Sequence, residues 1–179
     1  MAGSNWHKNG NSASIKLKTT FSKPNNMKKV FFLGLLFIGL SIHQANAQSD
    51  YKTALGLTVD FGDGATFVGP SVKHFFQPNH AGQFEVLFGD NVTLIEAFYQ
   101  YHKPIENAAG LKWYAGIGPG VQLYDGGSNF LLRPLGGLDY KINNVPLDFH
   151  FDWRPTLVFY DGDSDFEAAR FSLGFRYAF

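Results

Sequence analysis

The 179-residue chain carries fifteen basic and fifteen acidic residues, 17% aromatic residues and no cysteine. The lack of cysteine excludes disulfides and thiolate metal sites. Six of the bases (Lys8, Lys16, Lys18, Lys23, Lys28 and Lys29) precede residue 48 while every acid follows it, so the remainder holds nine bases against fifteen acids, a balance of −6. That balance excludes the basic footprint a nucleic-acid partner requires.

Residues 1–26 are polar, rich in Asn, Lys and Ser, and show no period. They read as a disordered extension or a misplaced start, with Met27 as the alternative initiator. From Met27 the chain has a secretory signal peptide's layout: Lys28 and Lys29, an apolar run from Val30 to Ile42, then Ala45-Asn46-Ala47 as small residues before a cleavage point. The apolar run is shorter than the roughly 20 residues a membrane-spanning helix needs. Residues 27–47 are therefore expected to be removed. No cysteine follows the cleavage point, so no lipoprotein anchor is expected. Residues 48–179 are expected to form one domain.

Beyond residue 48 no window has helical period. Segments of period 2 recur instead, separated by Gly, Asp, Asn and Pro, as in a membrane β-barrel. The first, Tyr51 to Phe61, sets Leu55, Leu57, Val59 and Phe61 against Lys52, Gly56, Thr58 and Asp60. The second, Thr66 to Phe76, sets Val68, Pro70, Val72 and His74 against Ser71 and Lys73. In the third, Gln83 to Gly89, Phe84, Val86 and Phe88 oppose Glu85. The fourth, Val92 to Lys103, is the least regular, because Leu94 and Phe98 share a face with Glu96 and Gln100. In the fifth, Leu111 to Tyr124, Trp113, Ala115, Ile117, Val121 and Leu123 oppose Lys112, Gln122 and three glycines. The sixth, Phe130 to Ile142, sets Leu132, Leu138, Tyr140 and Ile142 against Arg133, Asp139 and Lys141. The seventh, Leu147 to Tyr160, is the most regular, with Leu147, Phe149, Phe151, Trp153, Leu157 and Phe159 opposite Asp148, His150, Asp152 and Arg154.

The eighth segment is Ala169 to Phe179, ARFSLGFRYAF. Ala169, Phe171, Leu173, Phe175, Tyr177 and Phe179 lie on one face, and Arg170, Ser172, Gly174, Arg176 and Ala178 on the other. An aromatic edge running to the last residue suits a closed barrel in lipid better than a soluble sheet. On these residues the chain resembles the small eight-stranded outer-membrane β-barrels of the OmpA/OmpX type. The resemblance implies that Phe171, Phe175, Tyr177 and Phe179 form the signal read by the β-barrel assembly machinery. It also implies a periplasmic N-terminus in a Gram-negative envelope.

Soluble lipocalin-like barrels share the strand count and the period. The placement of charge separates the two. A soluble barrel would bury Asp148, His150, Asp152 and Arg154 in a dry core, at several kcal/mol for each unpaired charge, or expose Phe149, Phe151 and Trp153 to water. With lipid outside, the same alternation is consistent. The expected fold is all-β, an eight-stranded antiparallel up-and-down transmembrane β-barrel.

The lumen of an eight-stranded barrel is only wide enough for its own side chains. An ion network of Glu85, Glu96, Lys112, Arg133, Asp139, Asp148, Asp152, Arg154, Arg170 and Arg176 is expected to plug it, with Lys52, Lys73 and Lys141 also inward. On the implied orientation the outer loops are short and acidic (Asp60 and Asp63; Asp90; Asp125; Asp161, Asp163, Asp165 and Glu167) and hold no Lys or Arg. Outer-membrane lipid and lipopolysaccharide are the expected surroundings, and the acidic ring would attract divalent cations.

Asp161, Asp163, Asp165 and Glu167 mimic half of a calcium loop. Phe166, however, stands where that loop needs Gly, and Ser172 where it needs a bidentate Glu, which leaves only a weak metal candidate. Gly116 to Gly120 lies in a strand and opens no helix, so it is no phosphate loop. The spacing of Asp148, His150 and Asp152 suits an ion network as well as acid–base work. No histidine falls in an outer loop, which separates the chain from outer-membrane lipid A enzymes and proteases. The expectation is a monomeric, non-enzymatic barrel without cofactor, in a structural or interaction role. The alternatives are a narrow porin-like channel and, further off, a lipid A-modifying enzyme.

Overall fold

A computed structural model describes residues 51–160 and 162–179. The expected extension, signal peptide and cleavage point, and Asp161 of the calcium-like segment, lie outside the described residues. The described chain is built from β-strands: β1 (Thr53–Gly62), β2 (Ala65–Gln77), β3 (His80–Phe88), β4 (Val92–Pro104), β5 (Leu111–Tyr124), β6 (Gly127–Lys141), β7 (Leu147–Trp153), β8 (Thr156–Tyr160), β9 (Asp163–Glu167) and β10 (Arg170–Ala178). Strands β1 to β6 each pair antiparallel with the next, β8 pairs with β6 and β9, β10 pairs with β7, and β1 pairs with β10 to close the ring. β7 with β8, and β9 with β10, each make one long strand, so the barrel has eight.

Two local features divide those long strands. Pro155 has no N–H to give the ladder, which interrupts the seventh strand between β7 and β8. Its register against β6 is unchanged across the gap, with Gly136 opposite Trp153 and Leu132 opposite Leu157. The eighth strand instead carries a one-residue bulge. Glu167 faces Thr156 and Phe171 faces Trp153, so four steps on one side match three on the other. The Trp153 indole donates to the Ala168 carbonyl at 2.7 Å, and the Asp63 carboxylate accepts from the Ala169 amide at 3.1 Å, so both groups exposed by the bulge have partners.

β9 corrects the sequence reading, which left residues 161–167 as a loop and began the eighth strand at Ala169. Asp-Ser-Asp-Phe-Glu has no apolar alternation, and its strand conformation comes from pairing with β8. The sixth strand likewise begins at Gly127 rather than Phe130, because Asp125-Gly126 closes a two-residue hairpin with Gly126 at φ 99°. The third strand begins at His80, leaving Pro78-Asn79 as its turn.

Following paired residues once round the ring from Gly62, through Arg170, Leu135, Gly116, Gln100, Ala81 and Phe75, returns to β1 at Lys52, ten residues away. Eight strands with that stagger tilt by about 35–45° and enclose a core just wide enough for side chains. Alternation then divides the wall. Phe151 and Trp153 on the outer face are 48% and 49% exposed, whereas Glu85, Arg154 and Arg176 on the inner face are 0% exposed. The barrel is apolar outside and charged inside. Tyr51 and Phe179 lie at one end, called the terminal end; the hairpins following β1, β3, β5 and β8 form the far end.

Candidate functional site: the ion-packed lumen

Six carboxylates (Asp60, Glu85, Glu96, Asp139, Asp148 and Asp152) and five cations (Lys73, Arg133, Arg154, Arg170 and Arg176) are fully buried inside the wall. Such charges are tolerable in a low-dielectric interior only when paired and hydrogen-bonded. Arg154, at the break between β7 and β8, donates Nε and Nη2 to Asp152 at 2.6 and 2.8 Å. Its Nη1 crosses the lumen to Glu85 on β3 at 2.7 Å. In an eight-membered ring these strands are diametrically opposite, so one guanidinium spans the core with a bidentate grip on one side. The Thr58 hydroxyl on β1 lies within hydrogen-bonding distance of both the Ser71 hydroxyl and the Glu85 carboxylate, at 2.9 and 3.1 Å.

Toward the far end, Arg133 donates to Glu96 at 2.6 Å and Asp60 at 2.7 Å, tying β6 to β4 and β1. Arg170 shares Asp60 and also donates to the Gly62 carbonyl at 2.6 Å. Toward the terminal end, Arg176 holds Asp148 at 2.7 Å and Gln83 at 2.8 Å, and reaches Asp139 at 3.3 Å. Lys73 pairs with Asp139 across the ring from β2 to β6.

Glycines make room for these groups. A Cβ on Gly118 would strike the Phe98 ring, and one on Gly174 would collide with the His150 imidazole. His150 is therefore packed flat against the wall between Asp148 and Asp152, whose carboxylates are taken by Arg176 and Arg154. The Asp-His-Asp spacing thus sits in a packed wall, with all three residues fully buried.

The network ends in different materials. At the terminal end a stack of rings lies across the lumen: Tyr51 meets Phe75 edge-on at 5.2 Å, Phe75 meets His102 at 4.8 Å, and His102 stacks on Tyr114 at 4.8 Å. Their polar tips join the ions, with the Tyr114 hydroxyl donating to Asp152 at 2.5 Å and Lys73 lying 4.9 Å from the Tyr114 ring centre. At the far end a collar of Phe67, Leu87, Leu94, Leu131 and Val158, from five different strands, packs as one apolar cluster. Above it remains a shallow mouth of about 60 Å³, lined in part by Gln122, Glu167 and Arg170.

The structure brings nine of the ten expected network residues into this core. Lys112 is half-buried beside it, with Nζ 5.2 Å from the Phe75 ring centre. Of the further inward lysines, Lys141 donates to the carbonyls of Ile142 and Val145 in the terminal-end turn, at 3.0 and 2.6 Å. Tyr51, Gln83, His102 and Tyr114 belong to the core but had no place in the sequence reading; His102 and Tyr114 share the parity of Gln100 and Lys112, which is the signal that locates them. Asp163, Asp165 and Glu167 line one side of β9 at the rim. The carboxylates of Asp163 and Asp165 accept from the Ser164 and Phe166 amides at 2.7 and 2.8 Å. No group of acids and histidines among the described residues is arranged to hold a metal ion. Burial raises the Glu167 carboxyl above its ordinary value, with Arg170 opposing the shift. Phe171, Phe175 and Tyr177 face outward beside Phe149 and Phe151. Phe179 is locked to β1, its amide donating to the Thr53 carbonyl at 2.8 Å.

A closed antiparallel barrel of eight strands, with an apolar wall and a charged core, defines a small membrane β-barrel. The fold is that of the small outer-membrane barrels of the OmpA/OmpX type. It matches the N-terminal β-barrel domain of Pseudomonas aeruginosa OprF over 73% of this chain and all of that one, with a TM-score of 0.52 and 12% identity. Neisserial surface protein A aligns over 75% of this chain and all of its own at 16% identity and a TM-score of 0.45, and the fold assignment rests on the former. No protein-family model and no curated protein sequence matches the chain.

Proposed function

We propose that this chain is a monomeric, non-catalytic outer-membrane barrel with a structural or interaction role, whose lumen is closed to ions. The observation that carries the reading is the lumen itself: eleven buried charges cross-linked between strands, two of the pairs directly across the ring, between an apolar collar at one end and an aromatic stack at the other. Moving an ion through would require breaking guanidinium–carboxylate pairs, the Arg154–Asp152 one bidentate, and wetting an apolar constriction, the kind of element that closes a pore by dewetting. The terminal end faces the periplasm of a Gram-negative cell after removal of residues 27–47, and the acidic far end faces lipopolysaccharide. Phe171, Phe175, Tyr177 and Phe179 present the outward aromatic strand that the assembly machinery reads. Asp163, Asp165 and Glu167 serve as a solvated acidic rim rather than a metal site, and the same site chemistry requires no cofactor.

Two experiments test this. The detergent-refolded chain, boiled and unboiled, should show a mobility difference on SDS gels together with β-type circular dichroism; a chain soluble without detergent and unshifted by heat would return the lipocalin-like alternative. In planar bilayers the barrel should give no discrete conductance steps; regular steps at neutral pH would establish the narrow channel instead.

A further inference from the structure

We propose that the outer wall at the terminal end holds a binding site for one anionic phospholipid headgroup, centred on Lys103. The proposal rests on the membrane-barrel reading and goes beyond it by naming a ligand class and a residue. Among the described strand residues, alternation places a charge on the outer wall once. That residue is Lys103, on β4, in line with Tyr99 and Tyr101. It has no carboxylate partner among the described residues.

The surroundings of this lysine are amphipathic rather than apolar. Trp113 of β5 stands directly opposite it, and the Tyr101 ring lies 6.2 Å from that of Trp113. His80 of β3 stands opposite Tyr101, ring to ring at 5.3 Å, and its Nδ1 is 2.6 Å from the Tyr99 hydroxyl. The contrast between the two wall tryptophans is informative. The Trp153 indole is satisfied by the Ala168 carbonyl, whereas Trp113, 39% exposed, offers its N–H to no acceptor among the described residues. An ammonium, an indole N–H and a phenol therefore share one patch at the depth where aromatic side chains meet headgroups. Beyond it the wall continues as Ala97, Ala115 and Ile117, against which acyl chains can run into the hydrocarbon.

Charge selects the lipid. The far-end hairpins present Asp63, Asp90, Asp125, Asp163 and Asp165 with no Lys or Arg, while Lys52 and Lys103 are exposed at the terminal end against Glu106. A zwitterionic headgroup brings its own ammonium beside Lys103, and an anionic one does not. Each lysine near a surface favours an anionic lipid by about fivefold.

The full chain, refolded in detergent, is mixed with equal amounts of phosphatidylglycerol and phosphatidylcholine and examined by native mass spectrometry under stepwise activation. The expected result is retention of one phosphatidylglycerol about fivefold over phosphatidylcholine. Lys103→Gln should abolish the preference, Lys103→Arg should keep it, and Lys52→Gln, at the same end but off the wall, should leave it unchanged. Millimolar inorganic phosphate should not displace the lipid; displacement would reassign the patch to free phosphate. Equal retention of the two lipids, or an unchanged preference in Lys103→Gln, would overturn the proposal. The heat-dependent gel shift is recorded on every sample, so loss of the barrel is read separately from loss of the site.

Discussion

At the terminal end the lumen is crossed by rings whose polar tips join the ion network, whereas at the far end it is lined by aliphatic and aromatic side chains that carry no polar group. Tyr114 stacks on His102 and still donates to Asp152; Leu94 and Leu131 make apolar contacts only. The exposed surfaces differ too, with Lys52 and Lys103 against Glu106 at the terminal end and carboxylates without lysine or arginine in the far-end hairpins. An aromatic seal can sit against buried charge because hydroxyl and imidazole groups share its hydrogen bonds. Below the aliphatic collar the charges of Arg133 and Arg170 are paired with Asp60 and Glu96, while Glu96 Oε2 and the Nε atoms of both arginines have no hydrogen-bond partner among the described residues.

The contrast can be broken from the middle outward. Arg154→Ala removes the span common to both halves and leaves Glu85 and Asp152 buried without their cation, so urea unfolding of the refolded barrel should show a loss of about 3–5 kcal/mol. Leu94→Ala opens the far-end collar and should cost about 2–5 kcal/mol, with the terminal-end ring contacts unchanged by NMR. Tyr114→Phe keeps the terminal stack and removes one buried donor, and should cost about 1–3 kcal/mol. If the collar variant costs less than the tyrosine variant, the far end is not a packed seal.

The smallest effect is at the rim. Burial raises the Glu167 carboxyl, so the folded state favours its protonated form. That preference stabilises the fold below the titration and is lost as pH rises through it. Wild type should therefore lose stability relative to Glu167→Gln as pH rises from the carboxylate range toward neutrality, and thermal melts of the two proteins across that range measure the sign.

The barrel was legible in the sequence because two-residue alternation and a lipid-facing wall leave few alternatives. The seventh segment shows this best, since all ten residues assigned to its faces lie where the alternation puts them. The network partners were legible only as a list, because which guanidinium crosses to which carboxylate depends on the ten-residue stagger of the ring. The far-end collar was mostly illegible. Phe67, Leu87, Leu131 and Val158 point inward among apolar outward neighbours, so no contrast marks them, and only Leu94 and Phe98 stood out beside Glu96. β9 was missed for a related reason, because Phe166 is its single apolar residue and no alternation shows, so register alone makes it a strand.

A dry, closed lumen can be tested directly, because the sequence contains no cysteine. Ser71→Cys places one thiol in mid-lumen beside Thr58, and Asp63→Cys places one on the rim. In the refolded barrel a small charged thiol reagent should modify position 63 at once and leave position 71 untouched until the sample is heated. Rapid modification of position 71 in the intact, heat-shiftable barrel would mean that water and ions reach the core, and the account of a sealed lumen would be wrong.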